Sequence, residues 1–116
     1  ITYGRTFSAC AFAYEKLVNS GESVKLIKLN RIIPVCEGAV EAAKDCKDVY
    51  FFEEGIRRGG AGEGFLFDLS KAGFSGKYHL RAIENGFVKQ ASVESLLHKY
   101  GFDEEGVLSF VTSAED

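Results

Sequence analysis

Four consecutive apolar residues, Val49-Tyr50-Phe51-Phe52, make a strand with no side to turn toward water. Successive side chains of a strand point to opposite faces, so an unbroken apolar run demands cover on both. A chain of 116 residues supports one hydrophobic core. The cover is therefore helices packed on either side of a sheet that holds this run near its centre.

The rest of the chain supplies those helices in alternation with strands. Ile1-Thr2-Tyr3 is β-branched and aromatic and is predicted as a short strand, with Gly4 turning the chain after it. Phe7, Cys10, Ala11, Tyr14, Leu17 and Val18 then recur at helical spacing, and Asn19-Ser20-Gly21 ends that helix. Val24 to Leu29 is predicted as a second strand, interrupted by Lys25 and Lys28. Pro34 marks a turn ahead of a helix whose face is Val35, Ala39, Val40 and Ala43. Beyond the central run, a glycine-rich loop leads into a helix carrying Phe65, Leu66 and Leu69, closed by Gly73 to Gly76. Tyr78 to Ile83 is a further strand and Asn85-Gly86 a turn. Ser92 is the expected N-cap of a helix with Val93, Leu96, Leu97 and Tyr100, and Asp103 that of a last helix to about Val111. Such alternation predicts a mostly parallel sheet in a three-layer α/β/α sandwich with right-handed crossovers, one domain over residues 1–116. The chain opens as if on the tail of a strand already under way, and the expectation is a piece of a longer polypeptide.

Charge and composition exclude several classes of function. Fourteen Lys and Arg against 17 Asp and Glu give a net charge of -3, without the basic surplus of a nucleic-acid-binding protein. No apolar run approaches the roughly 18 residues of a membrane span, and no signal-peptide pattern opens the chain. The expectation is a cytoplasmic protein with neither nucleic acid nor membrane as partner. Cys10, Cys36 and Cys46 are odd in number and form no C-x-x-C, which is the usage of reduced thiols.

Gly59-Gly60-Ala61-Gly62-Glu63-Gly64 follows a strand and opens a helix, where backbone N–H groups and the helix dipole can hold an anion. It lacks the lysine and hydroxyl residue of a Walker loop and the spacing G-x-G-x-x-G. Small residues there also serve a plainer purpose, letting the helix lie close on the sheet. Arg57 and Arg58 stand just before the glycines. Glu53-Glu54 ends the central strand, where open α/β sheets place polar working groups. Being adjacent, the two carboxylates face opposite ways and cannot share one proton; a structural role, one of them accepting backbone or arginine hydrogen bonds, is expected. His79 and His98 have no second His, Cys or carboxylate at ligand spacing, so no metal site is expected. Cys10 reads as a small core residue, and Cys36, near a helix start, has no histidine placed to activate it. No catalytic, cofactor-binding or metal-binding residue is assigned.

Several segments together resemble the C-terminal domain of the thiamine-diphosphate enzymes of the transketolase family. They are Tyr3-Gly4, Asn30-Arg31-Ile32-Ile33-Pro34, Phe51-Phe52-Glu53-Glu54-Gly55 with Gly59-Gly60-Ala61-Gly62, and Phe87-Val88-Lys89-Gln90-Ala91-Ser92. The last, with Leu96-Leu97 and Tyr100-Gly101-Phe102-Asp103-Glu104-Glu105-Gly106-Val107, resembles within that family the endings of the 1-deoxy-D-xylulose-5-phosphate synthases. Cys36 departs from the family's Asp after the proline, and Asn85-Gly86 from its usual Pro-Asp. The resemblance implies strands in the order 1-3-2-4-5 with the first antiparallel and missing here, so that Ile1–Tyr3 is family strand two. It implies thiamine diphosphate and magnesium in the parent enzyme, held by preceding catalytic domains, and a homodimer. The synthases join pyruvate to glyceraldehyde 3-phosphate for isoprenoid, thiamine and pyridoxal precursors. None of their catalytic residues has a counterpart in this chain.

Two further expectations follow. Without family strand one, the edge at Val24–Leu29 is open apart from Lys25 and Lys28. The switch point between Ile1–Tyr3 and Val49–Phe52 brings Arg5 and Thr6 beside Arg57, Arg58, Gly59 and Gly60, a candidate anion site or domain interface. The alternatives are an independent α/β module that binds a small phosphorylated ligand, the C-terminal domain of another transketolase-family enzyme, and a stand-alone enzyme.

Overall fold

The computed structural model describes residues 1–32, 37–83 and 92–113. The expected turn at Pro34, Val35, Cys36, the turn at Asn85-Gly86 and the Phe87–Ala91 motif lie outside the described residues. The central run is the spine of the molecule. It forms β1, Asp48–Ile56, paired in parallel with β2, Lys77–Ile83, through partners such as Val49 with Tyr78 and Phe51 with Leu80. On the other side of β1, Thr2 bridges Phe52 in parallel and also bridges Lys28. The lateral order is therefore the segment around Lys28, then Thr2, then β1, then β2, which is the family order without its first strand.

Val24–Leu29 and Ile1–Tyr3, predicted as strands, are corrected to bridges. Thr2 donates its N–H to Ile27 O at 3.1 Å and accepts from Leu29 N at 2.8 Å, and a 3-10 turn, Gly4–Thr6, follows at once. One paired residue gives its neighbour nothing further to pair with, so no ladder propagates. Both lysines of this segment are exposed and make contacts of their own. Lys25 donates from Nζ to Ala42 O at 3.1 Å, and Lys28 lies 4.8 Å over the Phe7 ring, so both side chains turn back onto the body of the domain.

Among the described residues five α-helices accompany the sheet: α1 Phe7–Asn19, α2 Glu37–Ala43, α3 Ala61–Lys71, α4 Val93–Tyr100 and α5 Glu104–Ser113. Val49 and Phe51 pack with Ala39, Val40 and Ala43 of α2 and Phe65 and Leu69 of α3. Phe52 and Tyr50 pack on the opposite face with Ala9, Cys10 and Ala13 of α1, Phe102, and Val107 of α5. Odd residues of β1 thus serve one layer and even residues the other, as the period of two requires. Phe51 is fully buried and Phe52 nearly so. The small helix faces bring the layers close. A Cβ on Gly62 would stand 2.4 Å from Leu80 Cδ1 and 3.0 Å from Phe51 Cδ1, so α3 rests on the sheet where only glycine fits. Cys10 is a buried core residue, and burial pushes its thiol upward in pKa.

The predicted caps are in place. Ser92 accepts from Ser95 N at the start of α4, and Asp103 Oδ1 accepts from Gly106 N at 2.8 Å at the start of α5. Gly101 closes α4 at φ 76°, the left-handed geometry that glycine adopts without a Cβ penalty. Among the described residues, no helix is long and apolar enough to cross a membrane.

Candidate functional site

The carboxyl end of the sheet is organised by two consecutive carboxylates. Glu53 points to the α3 side and is 1% exposed. Its Oε1 accepts from Gly62 N at 2.9 Å, and its Oε2 from Ala61 N at 3.1 Å and from the Tyr3 hydroxyl at 2.8 Å. A helix start leaves its first N–H groups without intrahelical partners and carries partial positive charge. In α3 that position is filled from within, by a side chain of the preceding strand. Burial pushes the Tyr3 phenol well above its usual range, and the hydrogen bond to Glu53 adds to the shift. Tyr78 completes this corner by donating from its hydroxyl to Gly62 O at 2.6 Å; its phenol is raised by burial first and by the Glu53 charge second.

Glu54 points to the other face and meets Arg5, whose Nε lies 2.7 Å from Oε1 and 3.1 Å from Oε2. This pair is open to solvent, with the arginine side chain 57% exposed. A structural partner was expected for one of the carboxylates, and both have one: backbone N–H groups for Glu53 and an arginine for Glu54. The sequence did not show which segments supply the donors.

The six residues of the candidate anion or interface site fall into two groups. Arg5 and Thr6 lie in the 3-10 turn after Thr2. Arg5 is engaged with Glu54, while Thr6 is buried, its hydroxyl shared with Thr2 Oγ1 and reaching Tyr3 O at 3.1 Å. Arg57 to Gly60 form the turn from β1 to α3. Arg57 Nη2 donates to Leu80 O at 2.9 Å, Arg58 is exposed, Gly59 N donates to Glu63 Oε1 at 3.3 Å, and Gly60 is the N-cap residue of α3. The two groups are joined through Tyr3, Glu53 and Ala61.

A second cluster escaped the sequence reading. His79 is buried, stacked on Tyr50 with centroids 4.4 Å apart, and its Nε2 lies 3.0 Å from Asp48 Oδ1. Parallel register was the available signal: Tyr50 pairs with His79, and Asp48 lies two residues before Tyr50 on the same face. His98, on the exposed side of α4, pairs through Nδ1 with Asp103 Oδ2 at 2.8 Å.

The domain is a three-layer α/β/α module in which Glu53 takes the first N–H groups of α3 and Glu54 takes Arg5. The model of the transketolase C-terminal domain matches residues 1–107, and the chain belongs to that family. It is 29% identical over 114 residues to a 1-deoxy-D-xylulose-5-phosphate synthase of Bacteroides fragilis, covering 97% of this chain and 18% of the relative. To the synthase of the same name from Phocaeicola vulgatus it is 28% identical over 95 residues, covering 81% of this chain and 15% of the relative. The chain thus spans under a fifth of the length of these curated relatives. In fold it matches a split-gene transketolase described as an inactive beta4 tetramer, with a TM-score of 0.82 at 19% identity over 97% of this chain and 37% of that one.

Thiamine diphosphate with magnesium requires a cradle for the diphosphate and oxygen ligands for the metal. Among the described residues no three His, Cys, Asp or Glu side chains come together to hold a metal ion. The N–H groups of Ala61 and Gly62 are already committed to Glu53. These residues do not fit that group.

Proposed function

We propose that this chain is the C-terminal assembly domain of a thiamine-diphosphate-dependent transferase of the 1-deoxy-D-xylulose-5-phosphate synthase kind, contributing contacts and support rather than reacting groups. The observation that carries the reading is Glu53: an internal carboxylate sits where an α/β sheet would offer its helix terminus to a ligand anion. The edge formed by Arg5, Thr6, Arg57, Arg58, Gly59 and Gly60 then serves as a surface for the preceding catalytic domains of the same polypeptide, within a cytoplasmic homodimer. Cofactor, metal and the condensation of pyruvate with glyceraldehyde 3-phosphate belong to those domains. The relatives' names and the small share of their length that this chain covers support the assignment.

Calorimetry of the chain with thiamine diphosphate and magnesium is expected to give no binding heat, and micromolar affinity would overturn the division of roles. The competing reading, an independent module for a small phosphorylated ligand, is separated by titrating inorganic phosphate and sugar phosphates while following the amides of Thr6 and Gly60. Saturable shifts abolished in Arg57→Ala or Arg5→Ala would favour a ligand pocket over a domain interface.

A further inference from the structure

Helix α4 is lightly anchored by its described side chains. None of its side chains from Glu94 to Tyr100 is fully buried, and only Leu97 and Tyr100 reach the second core cluster. Its last turn is tied to α5 through the corner Gly101-Phe102-Asp103. Gly101 N donates to His98 O at 3.2 Å, and Phe102 N donates to Leu97 O at 2.7 Å. Across that corner one carboxylate holds both helices: Asp103 Oδ1 takes the Gly106 N–H at 2.8 Å, and Oδ2 meets His98 Nδ1 at 2.8 Å.

We propose that the α4–α5 corner is a pH-responsive clasp, in which His98 and Asp103 hold the two helices together across Gly101. With His98 protonated, the contact is a charge-assisted hydrogen bond, and the imidazolium also sits in the last turn of α4, where the helix dipole favours a cation. With the ring neutral both contributions fall away, while the Asp103 cap on Gly106 persists. Of the charged groups around the pair, the anion reinforces this and the two cations do not. Glu105 of α5 adds negative charge toward His98. Lys99, next along α4, lies 5.5 Å over the Tyr100 ring. Arg81 of β2 donates from Nη1 to Gly101 O at 3.4 Å, on the corner itself.

The hydrogen bond to Asp103, followed by that residue's charge, raises the His98 pKa above its ordinary 6.5. A raised histidine contributes stability that is complete below its unfolded value and is lost as pH climbs through the folded one. The Asp103 carboxyl is lowered below 3.8, chiefly by the same bond and then by Gly106 N–H, so its contribution is present above that value and lost as pH falls through the lowered one. The clasp is closed between the two and opens on either side.

The test follows the His98 ring by proton NMR and the exchange of the Gly101 and Phe102 amides, corrected for intrinsic base catalysis, from about pH 6 to about pH 9. His98 is expected to titrate above its ordinary value, with protection at the corner falling roughly two- to fivefold through that titration, the scale of an exposed pair. Asp103→Asn keeps a competent N-cap but removes the charge. In it, His98 should return toward the ordinary range and the protection should lose most of its pH dependence, the remainder being the helix-dipole contribution. An unchanged His98 titration in Asp103→Asn, or wild-type protection that is flat through the titration, would overturn the clasp.

Discussion

Glu53 and Glu54 are neighbours in one strand and carry the same charge, yet one is sealed beneath α3 and the other meets solvent beside the 3-10 turn. Parity along β1 assigns each to its layer. What they teach is that the surroundings of a carboxylate, not its identity, set its worth. Glu53 neutralises a helix start and satisfies three donors in a place water does not reach. Glu54 shares a guanidinium that water and salt can also serve. Buried charge-assisted hydrogen bonds are costly to break from one side, whereas exposed pairs contribute little.

Truncation separates the two most sharply. Glu53→Ala strands the Ala61 and Gly62 N–H groups and the Tyr3 hydroxyl, and is expected to cost about 3–5 kcal/mol, read from the urea midpoint. A cost below about 1 kcal/mol would mean that water reaches the site and that burial is not the distinction.

High pH provides the next test. The Tyr3 and Tyr78 phenols are both raised above a tyrosine's ordinary 10.0, first by burial. Their neutral forms are therefore favoured in the folded state, and stability that is complete below that value is lost as pH rises beyond it. Alkaline unfolding should show this loss, and Tyr3→Phe should soften it while Tyr78 maintains the remainder. An alkaline transition identical in Tyr3→Phe would remove Tyr3 from the account.

The smallest effect belongs to the exposed face. Glu54→Ala is expected to leave the urea midpoint unmoved within error at physiological salt, with any difference confined to low ionic strength. A salt-independent loss matching that of Glu53→Ala would erase the contrast between the faces.

The sequence made some of this legible and not the rest, for physical reasons. Val49–Phe52 announced a strand covered on both faces because four apolar side chains in a row admit no solvated side. Helical periodicity located α1 and α3, and the cap chemistry of Ser92 and Asp103 located α4 and α5. Adjacent glutamates announced opposite faces for the same reason of parity. The partners of Glu53 remained hidden because Tyr3 is 50 residues away in sequence and Ala61 and Gly62 offer only backbone. The His79–Asp48 pair was invisible without the β1–β2 register. Val24–Leu29 looked like a strand by composition, but strand character also needs a partner long enough to propagate a ladder, and Thr2 alone is not one.

The pairing of β1 with β2 also bears on how the domain tolerates changes in length. Phe52 stands opposite Arg81, and Ile56 opposite Ile83, so four steps along β1 match two along β2. The two surplus residues fall within Glu53-Glu54-Gly55, and because the surplus is an even number the strand re-enters its pairing with the same faces inward. An insertion or deletion of one residue within this stretch reverses the facing of everything between it and α3, whereas a change of two residues keeps the phase. Length changes at this end of β1 are therefore expected in steps of two, with an odd step compensated before the helix begins.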